Sequence, residues 1–193
     1  MILALNPREK VPDSFTVLNV TSRSKNWGKN LSPFFLGPIE TKNGTSQNVE
    51  NAWQFSKVYR EHTYESPRNK LLIPTNDWHD WMNSGFQDTY AHRYPMGKGK
   101  IPVFSFYESK RMGYVEARKK IYIPLYLQGL RNSDYYIQFI DFVRDNKNIA
   151  FIDFDVYNNI ESKETLEEIK NNPKKRYGHG FVLAEEAQRI LNK

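Results

Sequence analysis

Helical segments set among a few short strands, within one domain spanning residues 1–193, are what this sequence predicts. Three observations lead there. Stretches with apolar residues every three or four positions are longer than those that alternate apolar and polar. The alternating stretches are short and bounded by glycine, proline and asparagine. A chain of 193 residues suits one domain, and no segment is a long enough linker to divide it.

Residues 15–22 (FTVLNVTS) alternate and are rich in β-branched side chains, which predicts a strand. Residues 31–48 carry the breakers Pro33, Gly37, Pro38, Asn43 and Gly44 and read as loop, with a hairpin around Lys42-Asn43-Gly44. Asn48 reads as the N-cap of a helix over 49–61, whose apolar positions include Val49, Ala52, Trp53, Phe55, Val58 and Tyr59. Glu50 falls in its first turn, where the helix dipole favours a carboxylate. Pro67 and Pro74 interrupt the next stretch. Residues 77–85 predict a short helix, capped by Asn76 and stopped by Gly85. A basic loop covers 94–102 and a short strand 103–108. Residues 111–131 are helical in pattern, and Pro124 kinks that helix or starts a new one. Another helix follows at 134–144. Residues 148–157 begin apolar and then alternate, predicting a buried strand. A charged helix at 163–171, a Pro-Lys-Lys-Arg connector at 173–176 and a terminal helix within 180–193 complete the chain.

Composition narrows the chemistry. There is no cysteine, so disulfides, thiolate metal sites and cysteine nucleophiles are excluded, and a reducing compartment fits. Mean hydropathy is −0.73, and no apolar run approaches the roughly 20 residues of a membrane span. The apolar stretch at residues 1–8 is too short for a signal peptide. The expectation is a soluble, cytoplasmic protein that does not engage membranes. Lysine and arginine number 28 against 22 acidic residues, a net charge of +6. That is compatible with an ordinary solvated surface, and equally with an anionic partner, nucleic acid or phosphorylated metabolite. His62, His79 and His92 show no metal-ligand spacing, and no Walker loop, dinucleotide-binding glycine motif or nucleophile elbow is present. Neither a metal nor a cofactor is expected.

Four constellations could carry chemistry. On one helix, Glu50, Trp53, Gln54 and Lys57 share a face. An acid, a flat aromatic, an amide and an amine suit the wall of a polar pocket, with Trp53 stacking a ring. The plainer alternative is a scatter of charges beside a half-buried tryptophan. Tyr114, Arg118 and Tyr122 recur every four residues, so that Arg118 could clamp a phosphate or carboxylate, or simply pair with a surface acid. Asp153 and Asp155, two apart on the predicted strand, share one face. They could bind a metal, hold a ribose hydroxyl or act as acid and base, or face solvent from an edge strand. Finally, Gly178-His179-Gly180 would let backbone approach a ligand closely, with Lys175 and Arg176 beside it; a tight turn is the simpler reading.

The segment from Leu31 to Lys57 narrows these alternatives. It reads Leu31-Ser-Pro-Phe34, Pro38-Ile39-Glu40, Gly44, then Glu50-Asn-Ala-Trp-Gln54-Phe-Ser-Lys57. This resembles the opening of the NADAR/YbiA family, with its Leu-Ser-x-Phe start, Pro-Ile-Glu-like middle and Glu-His-Ala-Tyr-Gln-x-x-Lys helix. Asn51 stands where that family commonly has histidine, and Trp53 where it often has tyrosine. Tyr114-x-x-x-Arg118 is similar to the family's Trp-x-x-x-Arg helix. Ile152-Asp153 resembles a later apolar–acid pair, with aspartate in place of glutamate. Residues 177–183 are loosely similar to its C-terminal glycine-rich stretch. The resemblance implies a compact, helix-rich α+β domain and N-glycosidase chemistry on ribosyl-linked substrates, such as ADP-ribosylated bases or ribosylamino-pyrimidine phosphates. Breaking a C1′–N bond places positive charge on the ribose, which Glu50 would stabilise while guiding a water. Lys57 would act on the opened sugar or bind phosphate. Trp53 and Tyr114 would stack bases beside Gln54, and Arg118 would hold a phosphate. Asp153 would position a ribose hydroxyl or share acid–base duty, with Asp155 and His179 as further substrate contacts.

Two other functions fit the same residues. A binding module would keep the pocket and sequester an ADP-ribose-like or nucleotide ligand without turnover. A protein acting on modified bases of nucleic acid would use the basic residues Lys98 and Lys100, and its affinity would fall steeply with salt.

Overall fold

Helices and short strands are interspersed along residues 1–192, which the computed structural model describes. The strands are β1 (Ile2–Leu5), β2 (Thr16–Asn19), β3 (Ile39–Thr41), β4 (Gly44–Ser46), β5 (Lys57–Val58), β6 (Thr63–Glu65), β7 (Leu72–Pro74), β8 (Phe104–Tyr107), β9 (Lys110–Met112) and β10 (Ile149–Ile152). The helices are α1 (Val49–Phe55), α2 (Asn76–Gln87), α3 (Tyr114–Ala117), α4 (Ile123–Arg131), α5 (Tyr136–Asp145), α6 (Leu166–Asn171) and α7 (His179–Leu191). A π-turn, Arg118–Tyr122, joins α3 to α4. The fold class is α+β, as expected. No described helix is long and apolar enough to cross a membrane. The residues gather into two compact units, the first formed by 1–36 with 126–192 and the second by 37–125. The second boundary falls inside α4, which is why no linker marks it in the sequence.

In the first unit, β10 is the middle strand of a three-stranded parallel sheet ordered β1-β10-β2. A central parallel strand is covered on both faces and reads as an unbroken apolar run. All four residues of β10 are buried accordingly. Its partner β1 was not expected from the sequence: four apolar residues at the chain start show no alternation, and only pairing with β10, 147 positions away from Ile2 at Ile149, makes them a strand. Leu3, Leu5, Ala150 and Ile152 form one core cluster, with Val11 and Phe15 against it. Helix α7 packs on β1 and β10, and α5 packs on α7. Strand β10 stops at Ile152, short of the expected 148–157. Asp153 and Asp155 therefore lie beyond the strand and do not share a strand face: Asp153 N–H makes the last bond to β1, to Leu5 O (3.0 Å), and the chain then enters a turn.

The second unit is built from hairpins around α1 and α2. The pair β3–β4 meets at Thr41 and Gly44, so Lys42-Asn43 is the turn that the Asn-Gly pair predicted. Strands β5, β8 and β9 form an antiparallel sheet, and β6 pairs with β7. The core cluster holds Phe55, Val58, Trp78, Met82, Phe86 and Phe104. Helix α2 passes through Gly85 and runs on to Gln87, and the Phe55 ring lies where a Cβ on residue 85 would be. This glycine serves helix packing. Its N-cap is Thr75, whose hydroxyl accepts from Trp78 N–H, one residue earlier than the expected Asn76.

Helix α1 is shorter than the expected 49–61. Asn48 caps it as predicted, its side chain accepting from Asn51 N–H at 2.8 Å. After Phe55, however, Lys57 and Val58 pair with Ser105 and Phe104 of β8. The β-branched Val58 is fully buried in that strand, and the sheet hydrogen bonds compete successfully with further helix. Pro124 falls in the first turn of α4, directly after the π-turn. Proline offers no N–H to the carbonyl four residues earlier, and the wider hydrogen-bonding of the π-turn absorbs the defect just before it.

Candidate functional site

Of the residues singled out in sequence, Glu50, Trp53, Gln54, Lys57, Tyr114 and Arg118 belong to the second unit, and Asp153, Asp155 and His179 to the first. Each group is described within its own unit.

In the second unit, one turn of α1 separates Glu50 from Gln54, and the two side chains meet: Gln54 Nε2 donates to Glu50 Oε1 at 2.8 Å. Lys57 is off the helix, at the start of β5, yet its Nζ donates to Gln54 Oε1 at 2.6 Å. The amide's orientation follows from its partners, since a carboxylate oxygen accepts and an ammonium only donates. Glu50 and Gln54 are buried, 6% and 8% exposed, so the string carboxylate–amide–amine runs from the interior toward the surface. The Lys57 Nζ also sits 4.6 Å from the centre of the Trp53 ring, a cation–π arrangement. Trp53 in turn meets Tyr122 of the π-turn, ring centres 5.3 Å apart. The indole of Trp78 on α2 donates to the Lys57 carbonyl at 2.9 Å, pinning the backbone where helix becomes strand.

Arg118 opens the π-turn and is 1% exposed. Its guanidinium lies 4.6 Å from the centre of the Tyr114 ring, so the expected face of Tyr114 and Arg118 forms, with Tyr114 about half exposed. The π-turn packs against α1, which brings the two sequence constellations into one neighbourhood. Tyr122 completes it. In the sequence its spacing ties it only to Arg118, and its contact with Trp53 is made by the fold.

Asn51 was seen only as a departure from the resembled family. It is fully buried, and its side chain holds one loop at three points. Nδ2 donates to the carbonyls of Asp88 and Tyr90, both at 2.9 Å, and Oδ1 accepts from His92 N–H at 2.8 Å. The loop carries a second tie, His92 Nε2 to Asp88 Oδ2 at 2.7 Å. That hydrogen bond, and then the Tyr90 N–H, hold the Asp88 carboxyl below its ordinary range.

In the first unit the predicted residues hold a helix end. Asp153 Oδ2 accepts from Gly180 N–H at 3.1 Å and lies 3.2 Å from His179 Nδ1. The other ring nitrogen, Nε2, donates to the Val20 carbonyl at 2.8 Å. A carboxylate accepting at the start of α7 compensates the unpaired N–H groups there. A Cβ on Gly178 would overlap Asp153 Oδ2, and one on Gly180 would come within 3.0 Å of Asp153 Cβ. The two glycines around His179 therefore leave room for Asp153. Burial, and second the Asp153 charge, hold the Tyr126 phenol well above its ordinary value, so its hydroxyl remains a donor to the Leu31 carbonyl at 2.6 Å. Asp155 faces outward and pairs with Arg176 at 3.5 Å.

The same unit contains a buried ionic cluster that the sequence did not announce. Glu186 on α7 is bracketed by Arg131 (Nη2–Oε2 2.8 Å) and Arg189 (Nη2–Oε1 2.6 Å), with the Tyr136 hydroxyl donating at 2.6 Å. Burial pushes its carboxyl up, but the hydrogen bonds from Arg189, Arg131 and Tyr136 together outweigh it and hold the group far below the usual carboxylate range. A groove of about 400 Å³ lies beside Met1, Ile160 and Leu191, and none of the predicted site residues lines it. Among the described residues, no group of three or more histidine or acidic side chains is placed to hold a metal ion.

No curated protein matches the chain. Residues 5–168 match DUF6939, a family of unknown function, and the chain belongs to that family.

Proposed function

We propose that this protein is an N-glycosidase, distantly related to the NADAR/YbiA enzymes, that hydrolyses a C1′–N bond of an ADP-ribosyl or ribosylamino-phosphate substrate. The observation that supports this reading is the string Glu50–Gln54–Lys57 set beside the rings of Trp53 and Tyr122. As the C1′–N bond breaks, its electron pair leaves with the base nitrogen and positive charge grows on the ribosyl ring. The Glu50 carboxylate offsets that charge and takes a proton from the attacking water, whose oxygen bonds to C1′. The departing nitrogen is protonated from solvent. Lys57 supplies a cation for the substrate phosphate, Trp53 a flat face for its base, and Arg118 and Tyr114 a second anion-and-ring contact. Asp153 and His179, occupied at the start of α7, are left out of this chemistry.

The test is a panel of ADP-ribosylated bases and ribosylamino-phosphates incubated with the parent protein and with Glu50→Gln, products read by mass spectrometry. Release of free base by the parent and its loss in the folded variant is the expected result. Equal release by both removes Glu50 from the mechanism. Tight binding without product, seen by titration calorimetry, would replace the enzyme with a sequestering module.

A further inference from the structure

We infer that Gln54 is a positioning residue, whose amide holds the Glu50 carboxylate at one end and the Lys57 amine at the other and so sets the charge state of Lys57. The inference rests on the proposed site, but it concerns how that site is kept ready rather than what it consumes.

The geometry is specific to an amide. Its nitrogen end meets a group that accepts, at 2.8 Å, and its oxygen end meets a group that donates, at 2.6 Å. A glutamate at this position would offer two acceptors and no donor, placing a second carboxylate against Glu50 one helical turn away, an unfavourable like-charge pair. A leucine or methionine would offer neither. Only glutamine satisfies both neighbours while adding no charge between them. The bridge is also rigid. Gln54 is nearly buried and sits on α1, and Lys57 is anchored separately, by β8 through Ser105 and by Trp78 through its carbonyl. The Trp53 ring under Nζ favours the same charged form of the amine.

The groups that bear on the Lys57 charge can be named by element. Helix α1 carries Glu50. The π-turn packed against it carries Arg118, Lys119, Lys120 and Tyr122. Strand β8 presents Ser105, which does not titrate, and α2, which touches the Lys57 carbonyl, carries Asp77, His79 and Asp80. Against this background the amide oxygen stabilises the ammonium. Removing it lowers the pH at which the amine becomes a free nucleophile, and replacing it with a carboxylate raises that pH.

The experiment reads Lys57 directly, without a substrate. The full-length protein is labelled with acetic anhydride across a range of pH, digested, and the acetylation of Lys57 quantified by mass spectrometry against Lys98 in the same sample. Gln54→Leu is expected to move the Lys57 labelling midpoint down by about one pH unit, and Gln54→Glu to move it up by about as much. Gln54→Met, which keeps the chain length without the amide, takes the place of the leucine variant if that fails to fold. If both substitutions leave the midpoint where it is, or both move it in one and the same direction, the bridge is overturned. In parallel, kcat of the leucine variant is expected to fall by roughly 10- to 100-fold with KM changed less than about threefold, the pattern of a supporting residue. The two failures are distinguishable. Turnover unaffected by Glu50→Gln defeats the glycosidase chemistry and leaves the labelling shifts standing. Unchanged labelling defeats the bridge and leaves the chemistry standing.

Discussion

Two buried glutamates, one in each unit, are handled in different ways. Glu186, 3% exposed, is closed in by two guanidiniums and a phenol from α4, α5 and α7. Those elements are held together by the same bonds that satisfy the carboxylate. Glu50, 6% exposed, is met by a neutral amide on its own helix, which passes the contact on to an amine. A carboxylate neutralised in place by arginines belongs to the architecture, since its charge is already spent. At Glu50 the contact from its own helix is a neutral amide, whose far end reaches the Lys57 amine. The contrast extends to the paired acid of the first unit, Asp153, which is committed to the N-terminus of α7.

The largest effect expected from breaking this contrast is on catalysis. Glu50→Gln should lower turnover of the cognate ribosyl substrate by about 1,000-fold, or about 4 kcal/mol of barrier, while thermal unfolding stays near that of the parent. Glu186→Ala should do the opposite. It strands Arg131 and Arg189 against each other and should cost about 3 kcal/mol in urea unfolding, the low end for a buried pair because both guanidiniums are partly solvated, with turnover of the remaining folded protein unchanged. A glutamate that lost activity in both variants would erase the distinction.

Asn51→Ala tests whether the loop at 88–92 depends on α1. It leaves the carbonyls of Asp88 and Tyr90 and the amide of His92 without their partner and should cost about 2 kcal/mol. Faster amide hydrogen exchange at residues 88–92, with the rest of the second unit unaffected, is the local readout. Gly178→Ala should cost about 1–2 kcal/mol by pushing a methyl into Asp153. Ligand affinity that fell while stability held would return the Gly-His-Gly segment to a binding role. The smallest effect is on pH dependence. The folded Glu186 carboxyl lies below its ordinary range, so its stabilisation is complete above the unfolded value of about 4.3 and is lost as the pH falls from there toward the folded value. Urea midpoints measured from about pH 7 down to pH 3 should therefore decline less steeply for Glu186→Gln than for the parent.

Much of this was legible before the structure. The Asn48 cap, the Asn43-Gly44 hairpin and the contact between Glu50 and Gln54 follow from rules that reach four residues at most along the chain. The limits of α1, β10 and α2 were not legible in the same way. Two of these limits follow partners distant in sequence: β8 draws Lys57 and Val58 out of the helix, and β1 and β2 pair with β10 only as far as Ile152.

For the candidate site, local spacing sufficed to bring Glu50 and Gln54 together on α1, whereas Lys57 reaches Gln54 from β5, where its pairing with β8 places it. The sequence also pointed to Asp153 and His179 as substrate contacts. Their actual partners, Gly180 and Val20, are 27 and 159 positions away from the residues they bind, and the cluster around Glu186 draws on Arg131 and Tyr136, 55 and 50 positions distant. Short-range hydrogen bonding and periodicity are written into neighbouring residues. Which buried charge is neutralised, and by what, is settled only when the chain closes on itself, because the cost of burying a charge falls on whichever distant donors the fold brings to it.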